Sequence, residues 1–263
     1  MDINNLFSVK DKVVLITGGA KGIGLMISTA FVSAQAKVYI SSRDASACSA
    51  ACEQLNKIRP NSAFSLPADL QSEAEVHRLA SSLAKLEPAG IHVLINNSGA
   101  TWGESYDSYP DAAWTKLLTL NLARVFTLTQ ALTPLLEKAS KKGDPGRVIN
   151  IGSIDGLRVP ALPTFAYSAS KAGLHHLSRH LAVELGPRGI TSNTIACGPF
   201  PSKMMKHTLD TMGEVIKGVN PLGRVGEPED VGGACLFLAS RVGGYVNGAT
   251  VAVDGGVHLM AKI

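Results

Sequence analysis

A phenol and an ammonium four residues apart, in Tyr167-Ser-Ala-Ser-Lys171, fall in a stretch of helical character, where i and i+4 side chains project from one face. That proximity has a chemical use. A free phenol ionises near pH ~10, too high for acid-base work at neutral pH, and a neighbouring cation is expected to favour phenolate and bring the group into range. Ser153 falls at the carboxyl end of a strand, where α/β sheets place ligands, and its hydroxyl can donate to a carbonyl oxygen. Upstream, Thr17-Gly18-Gly19-Ala20-Lys21-Gly22-Ile23-Gly24 joins the first strand to the first helix, a context in which backbone N–H groups meet a pyrophosphate. Gly18 permits the turn, Gly22 the close approach of phosphates, and Gly24 the packing of helix on strand. Taken alone, this Gly-x-x-x-Gly-x-Gly spacing also suits a purely structural turn.

A ribose-binding acid at the end of the second strand would select NAD, but there the chain reads Ser41-Ser42-Arg43. Arg43 and Lys21 can instead pair with a 2′-phosphate, which points to NADP(H). The plainer alternative is that Arg43 caps a sheet edge and Lys21 is solvated. Asp44 competes, since a small turn shift presents its carboxylate to the ribose.

These groups need a frame, and the alternation of short apolar runs with longer helical stretches supplies one. Strands are expected at Lys12–Thr17, Lys37–Ser41, Ile91–Asn96, Arg147–Ser153, Thr191–Ala196 and Thr250–Val253. The first four are nearly continuous hydrophobic runs, as strands covered on both faces require. Helices are expected at Gly22–Ala34, Ser46–Lys57, Ser72–Leu86, Asp111–Lys138, Ala166–Leu185 and Glu229–Ala239, the last opened by Pro228 with acids in its first turn. With no linker and no internal repeat, residues 1–263 form one α/β domain, a Rossmann-type doubly wound parallel sheet. Within it, residues 198–226 carry Met205, Leu209, Met212 and Ile216 at helix-face spacing between prolines and glycines. They form either an ordinary packed surface helix or a mobile lid over a substrate.

Composition excludes other classes. Lys and Arg number 25 against 21 Asp and Glu, a net charge of +4 without runs of one sign, so no nucleic-acid groove is indicated. Cys48, Cys52, Cys197 and Cys235 show no Cys-x-x-Cys knuckle, which argues against zinc and against a disulfide framework. No apolar stretch approaches the ~20 residues of a membrane helix, and the amino terminus has no signal-peptide pattern. A cytoplasmic protein follows, although Ala261-Lys262-Ile263 has the small-basic-aliphatic order of a peroxisomal address.

The glycine turn, Asn96-Asn97-Ser98-Gly99, Asn121, Ser153, Tyr167 and Lys171, in this order, resemble the classical short-chain dehydrogenase/reductase family over about residues 9–257. Within it the chain is most similar to the 3-oxoacyl (β-ketoacyl) reductases, including the rhamnolipid-pathway type, with local support at Trp102-Gly103-Glu104-Ser105 and Ser108-Tyr109-Pro110. The resemblance implies that Tyr167 is the general acid of reduction, Lys171 binds the nicotinamide ribose, Ser153 steadies the carbonyl and Asn121 holds a water of the proton relay. It also implies cofactor contacts at Gly18, Lys21, Gly22, Ile23, Gly24, Ser42, Arg43, Asp69, Leu70, Asn97, Phe200 and Ser202, and a homotetramer or dimer with a contact near Val253-Asp254-Gly255-Gly256. Two positions depart from the pattern: Ser98 replaces the usual alanine, and Cys197-Gly198-Pro199-Phe200-Pro201-Ser202 replaces the usual Pro-Gly and following Thr.

The expected activity is NADPH-dependent reduction of a small-molecule ketone, a β-ketoacyl or related polyketide carbonyl, to a secondary alcohol. The alternatives are a secondary-alcohol dehydrogenase and a catalytically lapsed dinucleotide sensor or scaffold. Lys203, Lys206 and His207 can meet an anionic carrier or coenzyme A phosphate, or simply be solvated. His176 and His180 have metal-compatible spacing but no third ligand, and read as surface or subunit-contact residues, while Cys197 reads as a packed thiol.

Overall fold

The computed structural model describes residues 2–260; the side chains of Asn4 and His207 and the tripeptide Ala261-Lys262-Ile263 lie outside the described residues. Seven parallel strands form one sheet: β1 (Val13–Thr17), β2 (Lys37–Ser41), β3 (Ala63–Ser65), β4 (Val93–Asn96), β5 (Gly146–Ile151), β6 (Ile190–Cys197) and β7 (Thr250–Val253), in the order β3-β2-β1-β4-β5-β6-β7. After a short amino-terminal turn, α1 (Ile3–Leu6), the crossovers are made by α2 (Gly22–Ser33), α3 (Ala45–Ile58), α4 (Glu73–Leu86), α5 (Asp111–Leu118), α6 (Arg124–Ala139) and α7 (Phe165–Leu185). Between β6 and β7 lie α8 (Lys206–Val219) and α9 (Pro228–Ala239). The reversal of strand order between β1 and β4 opens the crevice in which sheets of this type bind ligands.

The strand periodicity of two sorts side chains into two layers. Val14, Ile16, Val38, Ile40, Val93, Ile95, Ile149 and Ile151 pack against Ile27 and Phe31 of α2, Leu55 of α3 and Val231 and Leu238 of α9. Leu15, Tyr39, Leu94 and Val148 face the other way, onto Leu79 of α4, Leu132 of α6 and Leu181 of α7. Both faces are dry, which is why these strands read as unbroken apolar runs.

Local signals explain the helix ends. Asp44 caps α3 by accepting from the Ala47 N–H at 3.0 Å, Ser72 caps α4 through Glu75, and Glu227 with Asp230 forms a capping box ahead of Pro228. Two expectations need correction. Six strands become seven, because Ala63-Phe64-Ser65 pairs with β2 at the sheet edge. The single helix expected over Asp111–Lys138 is interrupted by a π-helical turn at Thr119–Ala123, with Asn121 buried inside it. Such one-residue insertions are common at functional sites.

Candidate active site

The glycine turn closes at the carboxyl end of β1. Gly18 adopts φ +65° and donates its N–H to the Ser41 carbonyl at 2.6 Å, while Gly22 adopts φ +53°; both lie in the left-handed region that side chains disfavour. At Gly24 a Cβ would run into the Gly18 carbonyl. Asn97 ties the turn to β4, its Nδ2 donating to the Thr17 and Gly18 carbonyls at 2.9 and 3.2 Å. Thr17 Oγ1 accepts from the Asn97 and Ser98 amides, so the main chain at the Ser98 departure is anchored. A Cβ on Gly22 would sit 3.0 Å from Ser202 Cβ, which brings the start of the 198–226 segment against the glycine turn.

At the second-strand corner one of the two cations has an acidic partner. Lys21 is bound to Asp44 at 2.8 Å, and this partner holds the Asp44 carboxyl well below the usual carboxylate range. Asp44 therefore faces the lysine and the α3 amide. Arg43 makes no ion pair among the described residues and is exposed. Ser42 shares hydrogen bonds with the Asp44 main chain and has the Cys48 thiol 3.4 Å from its hydroxyl. Asp69 accepts from the Gln71 amide, and the Leu70 side chain is buried in the core. Ile23 packs on the core of the α2 side, and the Phe200 ring is buried there under Gly226. Leu70 and Phe200 thus have little besides main chain to offer a ligand.

At the opposite end of the crevice, α7 brings Tyr167 and Lys171 together, with Lys171 Nζ 5.7 Å from the centre of the tyrosine ring. The ammonium is buried and donates to the Ile151 carbonyl at 2.7 Å. A Cβ on Gly99 would meet Asn121 Oδ1 at 3.3 Å and Lys171 Nζ at 3.7 Å, so these groups border one small space. Ser153 lies two residues beyond β5 and accepts from the Asp155 amide at 3.1 Å.

The sequence-based expectation of a lowered phenol pKa is reversed. Burial pushes the Tyr167 hydroxyl up, with Ser153 acting in the opposite sense as a hydrogen-bonding neighbour and Asp155 adding to the rise. Lys171 aims its charge at the Ile151 carbonyl, and burial lowers its own pKa to about 8. The Asn121 side chain makes three hydrogen bonds: Nδ2 donates to the Ala100 carbonyl at 2.9 Å and to Ser170 Oγ at 3.0 Å, and Oδ1 accepts from the Ala100 amide at 2.9 Å. Both Nδ2 hydrogens are thereby used, so the side chain has no donor left for a further partner. Cys197 is buried beside Lys171, and burial raises its thiol to about 12.

Sequence reasoning passed over three supports. Ser170 links Asn121 to the Tyr167 carbonyl, and His175 sits one turn after Lys171 against Ser153. Tyr109 accepts from the Ala166 amide at the start of α7 and donates to the Trp102 carbonyl, with its ring 5.3 Å from Phe165. The i+4 spacing from Lys171 was the only signal for His175. Along the 198–226 segment, Met205, Leu209 and Ile216 are half-buried and Met212 is exposed, while Lys206 pairs with Asp210 at 2.7 Å. His176 and His180 stack edge to face at 5.1 Å, and no group of three metal-ligating side chains occurs among the described residues. No described helix is long and apolar enough to cross a membrane.

Comparison with known proteins agrees with this geometry. A family profile described as enoyl-(acyl carrier protein) reductase matches residues 18–258. The chain is 41% identical over 255 residues to the rhamnolipids biosynthesis 3-oxoacyl-[acyl-carrier-protein] reductase of Pseudomonas aeruginosa, covering 96% of this chain and 98% of that protein. It is 32% identical to a 3alpha-hydroxysteroid dehydrogenase of Mediterraneibacter gnavus, over 94% of this chain and 97% of the relative. Among solved structures, a Pseudomonas aeruginosa RhlG/NADP active-site complex superposes with a TM-score of 0.93 at 40% identity, covering 97% of this chain and 99% of that one. Similarity that runs from the glycine turn almost to the carboxyl terminus, in sequence and in backbone alike, establishes that the chain belongs to the short-chain dehydrogenase/reductase family.

Proposed function

We propose that this protein is an NADPH-dependent ketoreductase that converts a ketone, of the 3-oxoacyl thioester class, to a secondary alcohol. The observation that carries the reading is the convergence of Tyr167, Lys171 and Ser153 at the carboxyl edge of the sheet, in the same crevice as the glycine turn. The cradle suits a dinucleotide: left-handed Gly18 and Gly22 and a Gly24 with no room for a side chain expose backbone to a pyrophosphate. Arg43, with no ion pair among the described residues, is available to a 2′-phosphate, with Lys21 joining if it leaves Asp44. Ser42 borders that phosphate, Asp69 and the Leu70 main chain border the adenine, Asn97 lines the middle, and Ser202 with the Phe200 main chain lies toward the nicotinamide.

Bound there, NADPH supplies a hydride. Tyr167, kept protonated by burial, donates its proton to the carbonyl oxygen as negative charge builds on it. Ser153 Oγ donates a hydrogen bond to the same oxygen. Lys171, with a pKa of about 8, stays largely cationic at neutral pH, its ammonium held on the Ile151 carbonyl near the tyrosine ring. A neutral phenol is the form that can give its proton to the carbonyl oxygen, and the phenolate is the form that takes one back in alcohol oxidation. The assembly is a cytoplasmic homotetramer, for which exposed Val183 on α7 and fully exposed Tyr245 offer faces to further copies.

The test is loss of nicotinamide absorbance on mixing the purified protein with NADPH and, in turn, 3-oxoacyl thioesters, cyclic diketones and aromatic polyketide ketones. Fastest turnover of the thioesters supports the reading. No turnover of any ketone despite tight NADPH binding overturns it.

A further inference from the structure

The helix that carries Tyr167 and Lys171 also grips the main chain on both sides of Gly152. Lys171 Nζ donates to the carbonyl of Ile151 at 2.7 Å, and one turn later His175 Nε2 accepts from the amide of Ser153 at 3.4 Å. The two contacts bracket a segment of three residues, Ile151-Gly152-Ser153. His175 is 2% exposed, so its ring is fixed by packing. That packing is made possible by absent side chains. A Cβ on Gly152 would overlap the imidazole Nε2, and one on Gly156 would lie 2.9 Å from the ring Cε1 and 2.8 Å from the α7 main chain at Ala172.

We propose that His175 is a positioning residue for ketone reduction, holding the Ser153 main chain in register with Tyr167 by accepting its N–H through an unprotonated Nε2. An imidazole that accepts at Nε2 and is neutral carries its proton on Nδ1. Nδ1 is buried and has no partner among the described residues, so the ring accepts the cost of a lone donor in order to keep Nε2 free as an acceptor. Neutrality is favoured by burial and by the neighbouring charges of Lys171 and Arg179, which lower its pKa to about 4. An apolar side chain of similar size would fill the space but leave the Ser153 amide without its acceptor. Ser153 would then shift relative to the phenol, and a displacement of ~1 Å at such a site costs on the order of 100-fold in rate.

Because this role rests on the ketoreductase reading, wild-type turnover and Tyr167→Phe are measured beside the His175 variants. A wild type without activity, or an active Tyr167→Phe, defeats the reading itself and leaves the position of His175 to the spectroscopic measurement below. With the reading intact, His175→Leu is expected to lose about 10- to 100-fold in kcat while its Kd for NADPH stays within about twofold, and His175→Gln, which keeps an acceptor at the same reach, to recover most of the loss. A His175→Leu enzyme with wild-type kcat per folded site, or a His175→Gln no better than His175→Leu, overturns the proposal. Should His175→Leu not fold, nitrogen NMR of the histidine-labelled wild type decides: an Nδ1–H tautomer for His175 at neutral pH supports the role, and an Nε2–H tautomer excludes it.

Discussion

Replacing Asn121 with alanine removes three hydrogen bonds at once, to both main-chain groups of Ala100 and to Ser170. A net value of about 0.5–1.5 kcal/mol for each bond gives a range of about 1.5–4.5 kcal/mol. Ala100 is half-buried, so water can recover part of its loss, and Ser170 keeps its own donation to the Tyr167 carbonyl at 2.7 Å. The expected cost is therefore about 2–3 kcal/mol, a fraction of the ~5–15 kcal/mol typical of a folded protein. The variant should fold and melt about 4–12 °C lower. Activity should suffer more than stability, because Gly99, next to Ala100, separates Asn121 from Lys171 Nζ. Thermal melts with and without NADPH, set beside single-turnover reduction, measure both effects. Ser170→Ala removes only one of the three bonds and should lie between wild type and Asn121→Ala. The double variant should cost less than the sum of the singles, since the shared bond is lost once. A melting temperature within ~1 °C of wild type, together with unchanged turnover, would refute the claim that Asn121 acts by bracing the loop at Ala100.

Tyr167→Phe should abolish turnover and leave NADPH affinity nearly unchanged, checked by steady-state kinetics and calorimetric titration; substantial residual turnover removes the phenol as proton donor. Arg43→Ala should weaken NADPH much more than NADH, and equal losses for the two would dissociate Arg43 from the 2′-phosphate. Acid stability tests His175, whose pKa is lowered to about 4 in the fold against ~6.5 when free. Between those values the unfolded chain binds the proton first, so stability is full above pH ~6.5, falls with pH through that window, and levels off below about 4, at a cost of about 3 kcal/mol. Denaturant midpoints of wild type and His175→Leu across this range should show a shallower acid decline in the variant.

Much of this molecule is legible in its sequence, and the exceptions share a cause. Strands such as Val13–Thr17 and Val93–Asn96 announce themselves because burial on both faces forces unbroken apolar runs. Ala63-Phe64-Ser65 does not, since an edge strand of three residues with one partner needs no such run. The Thr119–Ala123 turn was hidden because Thr-Leu-Asn-Leu-Ala keeps helical periodicity, and the insertion accompanies bonds that Asn121 makes to residues far away in the chain. Spacing put Tyr167 and Lys171 on one helix face but was silent about where the ammonium aims, and the expected effect on the phenol therefore had the wrong sign. Spacing was equally silent about the partner of Lys21, which is Asp44, the residue read as a rival for the ribose.

The loops at the sheet's carboxyl edge are held chiefly by side chains from other elements. Asn97 fixes the carbonyls of Thr17 and Gly18, Asn121 fixes Ala100, and Lys171 with His175 fixes Ile151 and Ser153. Each brace is a buried or half-buried polar contact that fails at a cost, so the candidate site is preorganised. Residues 198–226 are treated differently. Their helix, α8, has no buried residue among those described, and Met204, Met212, Val215 and Val219 are exposed. The contact of this segment with the glycine turn is made by Ser202, which precedes that helix. On the proposed function, substitutions in α8 are expected to change substrate preference while leaving the braced edge around Tyr167 intact, and turnover of a ketone panel by α8 variants checks this.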